Sequence, residues 1–470
     1  MAFVAIRWVA PSGPLYWDSF GYTAQAVTGQ VGGLGLGRPL FVLVSHGVAS
    51  ALLKLGASLE HVEPVLRALW ASISALSAPL VALAATKLDF SSTERRFAAL
   101  AVALSPAMAH ASGQVLTDGP AVALIVASTT AALFAKDGEG AREAGLWLAS
   151  GALLGAAVVF REPSLAHALT LYALVALGPK GARSRSWVTA TAGLLLVSGL
   201  SLAWAARQPG WGDTVRAWVS AMRRERAAHP YSLRDLGLYV AWLFALGPLV
   251  TLAAIATWVR ARREIFARSK AFAVVALGSL APLALLAIYQ DISFSPRYLL
   301  GAMPFAVAAV AAPTLGRWAR TQNRVRLVTA LLVATAIVSG WGLSRRERPL
   351  RAAIDTVEAR LRSEPAAPRG ELVIVTGQLC PAVQLAARFE RVRAERERRA
   401  PVRWITVCPG WDWPSNIGHT LEAHVRRQTP VIVDLRDESW VGARQRAARA
   451  SVAAWASTAT VTGAGLVRVW

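Results

Sequence analysis

The sequence predicts a polytopic α-helical membrane protein of about 11–12 membrane helices with a small C-terminal extracytoplasmic α/β domain. Three observations predict it. The 470 residues are 54% hydrophobic and only 17% charged, with a mean hydropathy of +0.41, far from a soluble average. Long apolar runs recur from residue 65 to residue 343, and short clusters of Arg and Lys fall between them. Beyond Leu343 the composition shifts to strand-like apolar segments separated by Arg-rich helical ones.

The formal charge of +22 would suggest nucleic acid in a soluble protein. Here the basic residues punctuate hydrophobic spans, which is what orientation in a membrane requires, so nucleic-acid binding is set aside. No cleavable signal is visible, because Met1–Ala10 is short and interrupted by Arg7. Ala2–Ala10 supplies about half of a spanning helix, and the reading favours a first helix truncated by a wrong start site.

Next comes Pro14-Leu15-Tyr16-Trp17-Asp18-Ser19-Phe20-Gly21-Tyr22, which sets one carboxylate among aromatics. In a helix Asp18 and Tyr22 share a face, with Trp17 and Phe20 turned to headgroups or a greasy ligand. Asp18 either caps a short interfacial helix or carries chemistry. Gln30–Gly37 is a glycine-rich linker and not a phosphate loop, since it lacks the Gly-Lys-Ser/Thr ending. Arg38-Pro39 then heads an apolar segment from Leu40 to Leu55, short enough to be interfacial or re-entrant.

The apolar runs that follow are Val65–Thr86, Phe97–Gly113, Pro120–Ala135, Ala144–Phe160, Leu165–Leu177, Trp187–Ala206, Leu236–Val259, Ala271–Tyr289, Leu299–Leu315 and Leu327–Leu343. Every second connection is basic: Lys87, Arg95 and Arg96; Lys136 and Arg142; Lys180, Arg183 and Arg185; Arg260 to Lys270; Arg317 to Arg326. These face the cytoplasm. The intervening connections are then external, including Arg207–Asp235, a basic exception read as an external loop with an amphipathic helix carrying Trp211, Asp213 and His229.

That parity gathers Asp18, Arg38, Asp118, Arg161, Arg297 and Tyr298 at one outer rim. Charges at membrane depth are costly and usually face a cavity or one another, so their convergence points to a site. Each also has a plain structural reading. Asp118 can cap the next helix, Arg161 can pair with its neighbour Glu162, and Arg297 can reach the interface from a helix end.

In their order and sidedness the motifs resemble those of a GT-C class membrane glycosyltransferase, similar to the protein O-mannosyltransferases and the aminoarabinose transferases that modify lipid A. They are Asp18 within Trp-Asp-Ser-Phe-Gly-Tyr, Arg38-Pro39, Thr117-Asp118-Gly119-Pro120, Phe160-Arg161-Glu162-Pro163 and Ser295-Pro296-Arg297-Tyr298. The resemblance implies an integral protein of the cytoplasmic (inner) membrane that moves a sugar from a polyprenyl-phosphate-linked donor to an extracytoplasmic acceptor. It gives Asp18 the role of general base, with Tyr22, Arg38, Asp118, Arg161, Arg297 and Tyr298 binding substrate. Some members use a divalent cation, for which Asp18 is the candidate ligand. Many carry two adjacent acids where this chain has Asp18-Ser19.

The domain plan is then 1–344 for a GT-C-like catalytic membrane domain with its first external loop at about 11–64, 345–370 for a linker, and 371–470 for the external α/β domain. In that domain Glu371–Thr376, Val402–Val407, Val431–Leu435 and Thr458–Val469 read as strands. Cys380-Pro381 and Cys408-Pro409 each follow a strand, so a Cys380–Cys408 disulfide is expected, against the alternative of two buried thiols. Two other functions remain open. A transporter or flippase predicts internal repeats and broken helices, which the sequence does not display; a non-catalytic scaffold predicts that Asp18, Asp118 and Arg297 tolerate alanine.

Overall fold

Apolar runs in this chain become helices because a backbone without water must satisfy its N–H and C=O groups within its own segment. The computed structural model describes residues 17–31, 38–213, 215–216, 219–220, 244, 246–261, 263, 267, 269–283, 296–341, 371–377, 379–398, 403–407, 417–436, 443–462 and 467–469. The start of the chain, the glycine-rich stretch 32–37, His229, Cys408 and the 345–370 linker lie outside these residues.

By its packing the chain divides into two units. The first comprises Met1–Pro11, Gln25–Lys54 and Glu63–Ser344; the second comprises Ser12–Ala24, Leu55–Val62 and Arg345–Trp470. Helix α1, Trp17–Thr28, carries the boundary between Ala24 and Gln25.

The first unit is helical. In chain order its described helices are α2 (Pro39–Lys54), α3 (Leu59–Ala75), which begins in the second unit, α4 (Ser77–Ala85), α5 (Ser92–Ala103), α6 (Pro106–Ser112), α7 (Asp118–Lys136), α8 (Gly140–Phe160), α9 (Ala168–Leu177), α10 (Arg183–Ala206), α11 (Pro248–Ala256), α12 (Lys270–Gly278) and α13 (Val310–Trp318). Among the described residues six stretches are long and apolar enough to span a bilayer: His61–Ala85, Asp118–Lys136, Gly140–Phe160, Lys180–Ala206, Leu299–Trp318 and Gln322–Trp341. Shorter apolar helices occupy Pro39–Lys54, Glu162–Leu177, Pro248–Arg260 and Lys270–Leu283. The expected run Phe97–Gly113 breaks at Ser105, whose side chain caps α6 by accepting from the Met108 N–H ahead of Pro106.

Helices α7 and α8 are joined by a tight turn and run back antiparallel, and α8 in turn packs on α10. Glycine makes the second contact possible. A Cβ on Gly151 would lie 1.9 Å from the Ala190 carbonyl oxygen, and one on Gly193 would lie 2.1 Å from that of Leu148. The span Leu299–Trp318 is irregular: it enters through a 3-10 turn, Pro296–Ala302, and a π turn, Met303–Ala309, before α13. The chain therefore has a broken helix that its sequence did not display, and non-α backbone of this kind persists in a membrane where protein covers it; Met303–Ala309 is buried throughout.

The second unit holds a four-stranded parallel sheet of β1 (Glu371–Val375), β2 (Arg403–Val407), β3 (Val431–Val433) and β4 (Val467–Val469), in the order β2-β1-β3-β4. Between the strands lie α14 (Cys380–Glu397), α15 (Ile417–Arg426) and α16 (Ala443–Thr462). One face of the sheet packs Leu372, Ile374 and Ile432 against α14, together with Phe20 and Ala24 of α1. Phe20 is thus a core residue of this unit, 4% exposed, and not the interfacial aromatic its sequence suggested. The expected strand Thr458–Val469 is also shorter than read. Residues 458–462 continue α16, whose Ser457 and Thr458 hydroxyls donate to the Ala453 and Ala454 carbonyls at 3.0 and 3.2 Å. Cys380 is wholly buried and disulfide-bonded.

Candidate functional site

Antiparallel α7 and α8 place the residue that opens the first beside the residue that closes the second. Asp118 is the first residue of α7 and Arg161 directly follows α8. The Arg161 guanidinium donates to the Asp118 carboxylate, and both side chains are shielded, 11% and 6% exposed. Asp118 is not an N-cap: Thr117 holds that position without a side-chain cap bond. Gly119 is required next to it, because a Cβ there would meet the Ser112 and Ser74 hydroxyls at 2.3 and 2.4 Å.

Arg161 does not pair with its neighbour Glu162. Its backbone is extended, with φ −158° and ψ 113°, and successive side chains on extended backbone point to opposite sides. Glu162 reaches instead to Arg38, which donates to it from the residue before α2. The dipeptide Arg161-Glu162 therefore fastens the starts of two other helices. Arg38 itself sits at φ +51°, a left-handed conformation that costs an L-residue roughly 1–2 kcal/mol.

An aromatic cluster underlies these pairs. Phe41 stacks on Trp70 with centroids 4.6 Å apart, and Phe160 meets both edge-on at 5.6 and 5.5 Å. The Trp70 indole N–H donates to Ser45 at 3.2 Å. All three rings are buried, so the helix ends that carry Arg38 and Arg161 rest on a stiff floor.

Arg297 lies in the 3-10 turn Pro296–Ala302, which packs against α6 and α7; its Nε and Nη1 are buried. Tyr298 follows in the same turn, and its side chain lies outside those described. Asp18 stands half-buried in the first turn of α1, where the helix dipole favours a carboxylate, and Tyr22 one turn on is buried. Of the residues expected at the site, the structure joins Arg38, Asp118 and Arg161 through direct pairs and adds Glu162. Asp18 and Tyr22 belong to the second unit.

The opposite end of the α7–α8 hairpin is basic. Lys136 and Lys87 both donate to Asp137, at 2.7 and 3.0 Å, and Arg185 donates to the Gly140 carbonyl at 2.8 Å. Burial alone would raise the Asp137 carboxyl, but the two ammonium groups outweigh it and hold it below the ordinary carboxylate value. Sequence reasoning passed over one further buried pair, Glu63 and Arg67 of α3 at 3.5 Å; the i, i+4 spacing was its signal. Among the described residues no three His, Cys, Asp or Glu side chains gather as a metal site would need, and Asp18 has Ser19 where a second acid would stand.

The family described as dolichyl-phosphate-mannose-protein mannosyltransferase matches residues 56–209, a range that includes Asp118, Arg161 and Glu162. No curated protein sequence matches significantly. Among solved structures the chain is similar to ArnT from Cupriavidus metallidurans bound to undecaprenyl phosphate, at a TM-score of 0.58 and 13% identity over 92% of this chain and 87% of that one. The same protein in the apo state gives 0.56 and 12%, over 85% and 87%. The oligosaccharyltransferase of Archaeoglobus fulgidus reaches a TM-score of only 0.49 at 13% identity, over 82% of this chain and 60% of that one.

Proposed function

We propose, from the premise that this chain is a membrane glycosyltransferase with the GT-C fold, that it moves a sugar from a polyprenyl-phosphate-linked donor to an acceptor on the outer face of the cytoplasmic membrane. The observation that carries the reading is the gathering of Arg38 and Arg161, through Glu162 and Asp118, at one end of the membrane helices, with Lys87, Lys136 and Arg185 at the other. A lysine-rich end belongs to the cytoplasm. The arginine end is then external, where a lipid-linked donor presents its phosphate. The likeness to a structure holding undecaprenyl phosphate supports that donor class.

In the reaction Asp18 takes the proton of the acceptor hydroxyl as its oxygen bonds to the anomeric carbon. The bond from that carbon to the phosphate oxygen breaks, and the lipid phosphate leaves with the electron pair. Guanidinium groups of Arg38, Arg161 and Arg297 stabilise the charge it gains, since forked donors suit phosphate oxygens. Asp118 holds Arg161 in place. The α/β domain is external and handles the acceptor. A disulfide at Cys380, with Cys408 as the partner the sequence offers, supports an oxidising compartment for it.

The test is Asp18→Asn in membranes supplied with polyprenyl-phosphate sugars. Loss of a general base lowers transfer about a hundred- to ten-thousand-fold, with abundance and lipid binding kept. Transfer at the wild-type rate in that variant rejects the assignment.

A further inference from the structure

We infer that Glu162 is a positioning residue of the donor site: it holds Arg38 in a backbone conformation that presents the guanidinium to the lipid phosphate. The inference rests on the proposed function and deepens it by naming the group that sets the phosphate-binding geometry.

Two independent observations meet here. Arg38 is one of four non-glycine residues at positive φ among those described, with φ +51°, at the step where the chain turns into α2 at Pro39. An L-residue stays in such a conformation only when its surroundings determine it. The second observation is the determinant: the Glu162 carboxylate accepts from Arg38, with side chains 14% and 17% exposed. Glu162 is itself fixed, because the 3-10 turn Glu162–His167 that it opens follows Arg161, and Arg161 is bound to Asp118. Phe41, one turn beyond Arg38, is anchored against Trp70 and Phe160. The strained residue is thus clamped from its side chain and from the helix behind it.

The charges show what the clamp is for. Arg38 is balanced by Glu162 and Arg161 by Asp118, so for these four groups the direction in which the donors face weighs more than net charge in meeting an anion. Without the carboxylate, Arg38 loses its fixed direction while the cluster gains a positive charge. A purely electrostatic role for Glu162 then predicts tighter phosphate binding on its removal; a positioning role predicts weaker binding.

The experiment uses the full chain in nanodiscs, with undecaprenyl phosphate as the probe and native mass spectrometry as the readout. Glu162→Gln is expected to weaken binding about tenfold or more, and Glu162→Asp, which keeps the charge, to recover part of the loss. In transfer assays Glu162→Gln raises the donor KM and lowers kcat, because Arg38 also meets the charge that develops on the departing phosphate, and Glu162→Asp recovers part of both. The exchanged pair Arg38→Glu with Glu162→Arg guards against simple misfolding: it keeps an ion pair and thermal stability, yet binds the probe as poorly as Glu162→Gln. Unchanged or tighter binding in Glu162→Gln overturns the inference, as does normal binding in the exchanged pair. A wild-type protein that does not bind undecaprenyl phosphate overturns the proposed function itself.

Discussion

Both units of this chain bury an arginine against an aspartate, and the two constructions differ in reach. In the α/β unit Arg436 grips Asp434 at 2.8 and 2.9 Å, and the partners are two residues apart, just past β3. Thr376 at the end of β1 donates to the same carboxylate at 3.2 Å. In the helical unit Arg161 and Asp118 are 43 residues apart, and Arg38 and Glu162 are 124 apart. A pair two residues apart shapes its own loop. A pair spanning several helices exists only in the assembled fold, so it can report on a ligand that all those helices surround.

The comparison predicts unequal damage. Asp118→Asn leaves Arg161 without its charge partner in a shielded place, a change that costs about 3–5 kcal/mol when a buried pair is broken. Thermal unfolding in detergent should fall by many degrees, and the double variant Asp118→Asn with Arg161→Gln should recover much of the loss. If the double variant is no better than the single one, the two residues do not act as a pair. Asp434→Asn should do less, about 1–3 kcal/mol, because Arg436 is 19% exposed and can turn to solvent. Transfer activity per folded molecule should be unchanged. A loss of stability as large as that of Asp118→Asn would erase the distinction between a local and a long-range pair.

The local construction is the more legible from sequence, and the long-range one shows why the rest is not. Apolar runs gave the helices, and turn residues gave most of the sheet, because both signals lie within a few residues. Arg161 and Glu162 looked like partners for the same reason, adjacent and opposite in charge. Extended backbone at Arg161 sends the two side chains apart, and no property of the dipeptide announces that. Phe20 was misread likewise: its core partners, from Leu372 to Ile432, come from the other end of the chain. The motifs around Asp118, Arg161 and Arg38 mark residues that the fold pairs, since each sits at a helix end where a charge must be accommodated. Which carboxylate meets which guanidinium is a tertiary fact.

The weakest pair of the comparison lies at the opposite end of the α7–α8 hairpin. Asp137 bridges Lys87 and Lys136, and the two ammonium groups depress its carboxyl despite partial burial. A depressed folded-state value means that the bridge contributes stability above the ordinary carboxylate range, and that the contribution is lost as pH falls through the depressed value. At 37% exposure solvent screens it, so its worth is about 0.2–1 kcal/mol. Asp137→Asn should therefore lower thermal stability slightly at pH 7 and remove part of the decline seen on acidification below about pH 4, with donor binding unaffected. Equal stability of variant and wild type at pH 7, with identical acid profiles, would show that this end of the hairpin is held by helix packing alone. The hairpin would then owe its ionic stability to the Asp118–Arg161 end and not to this one.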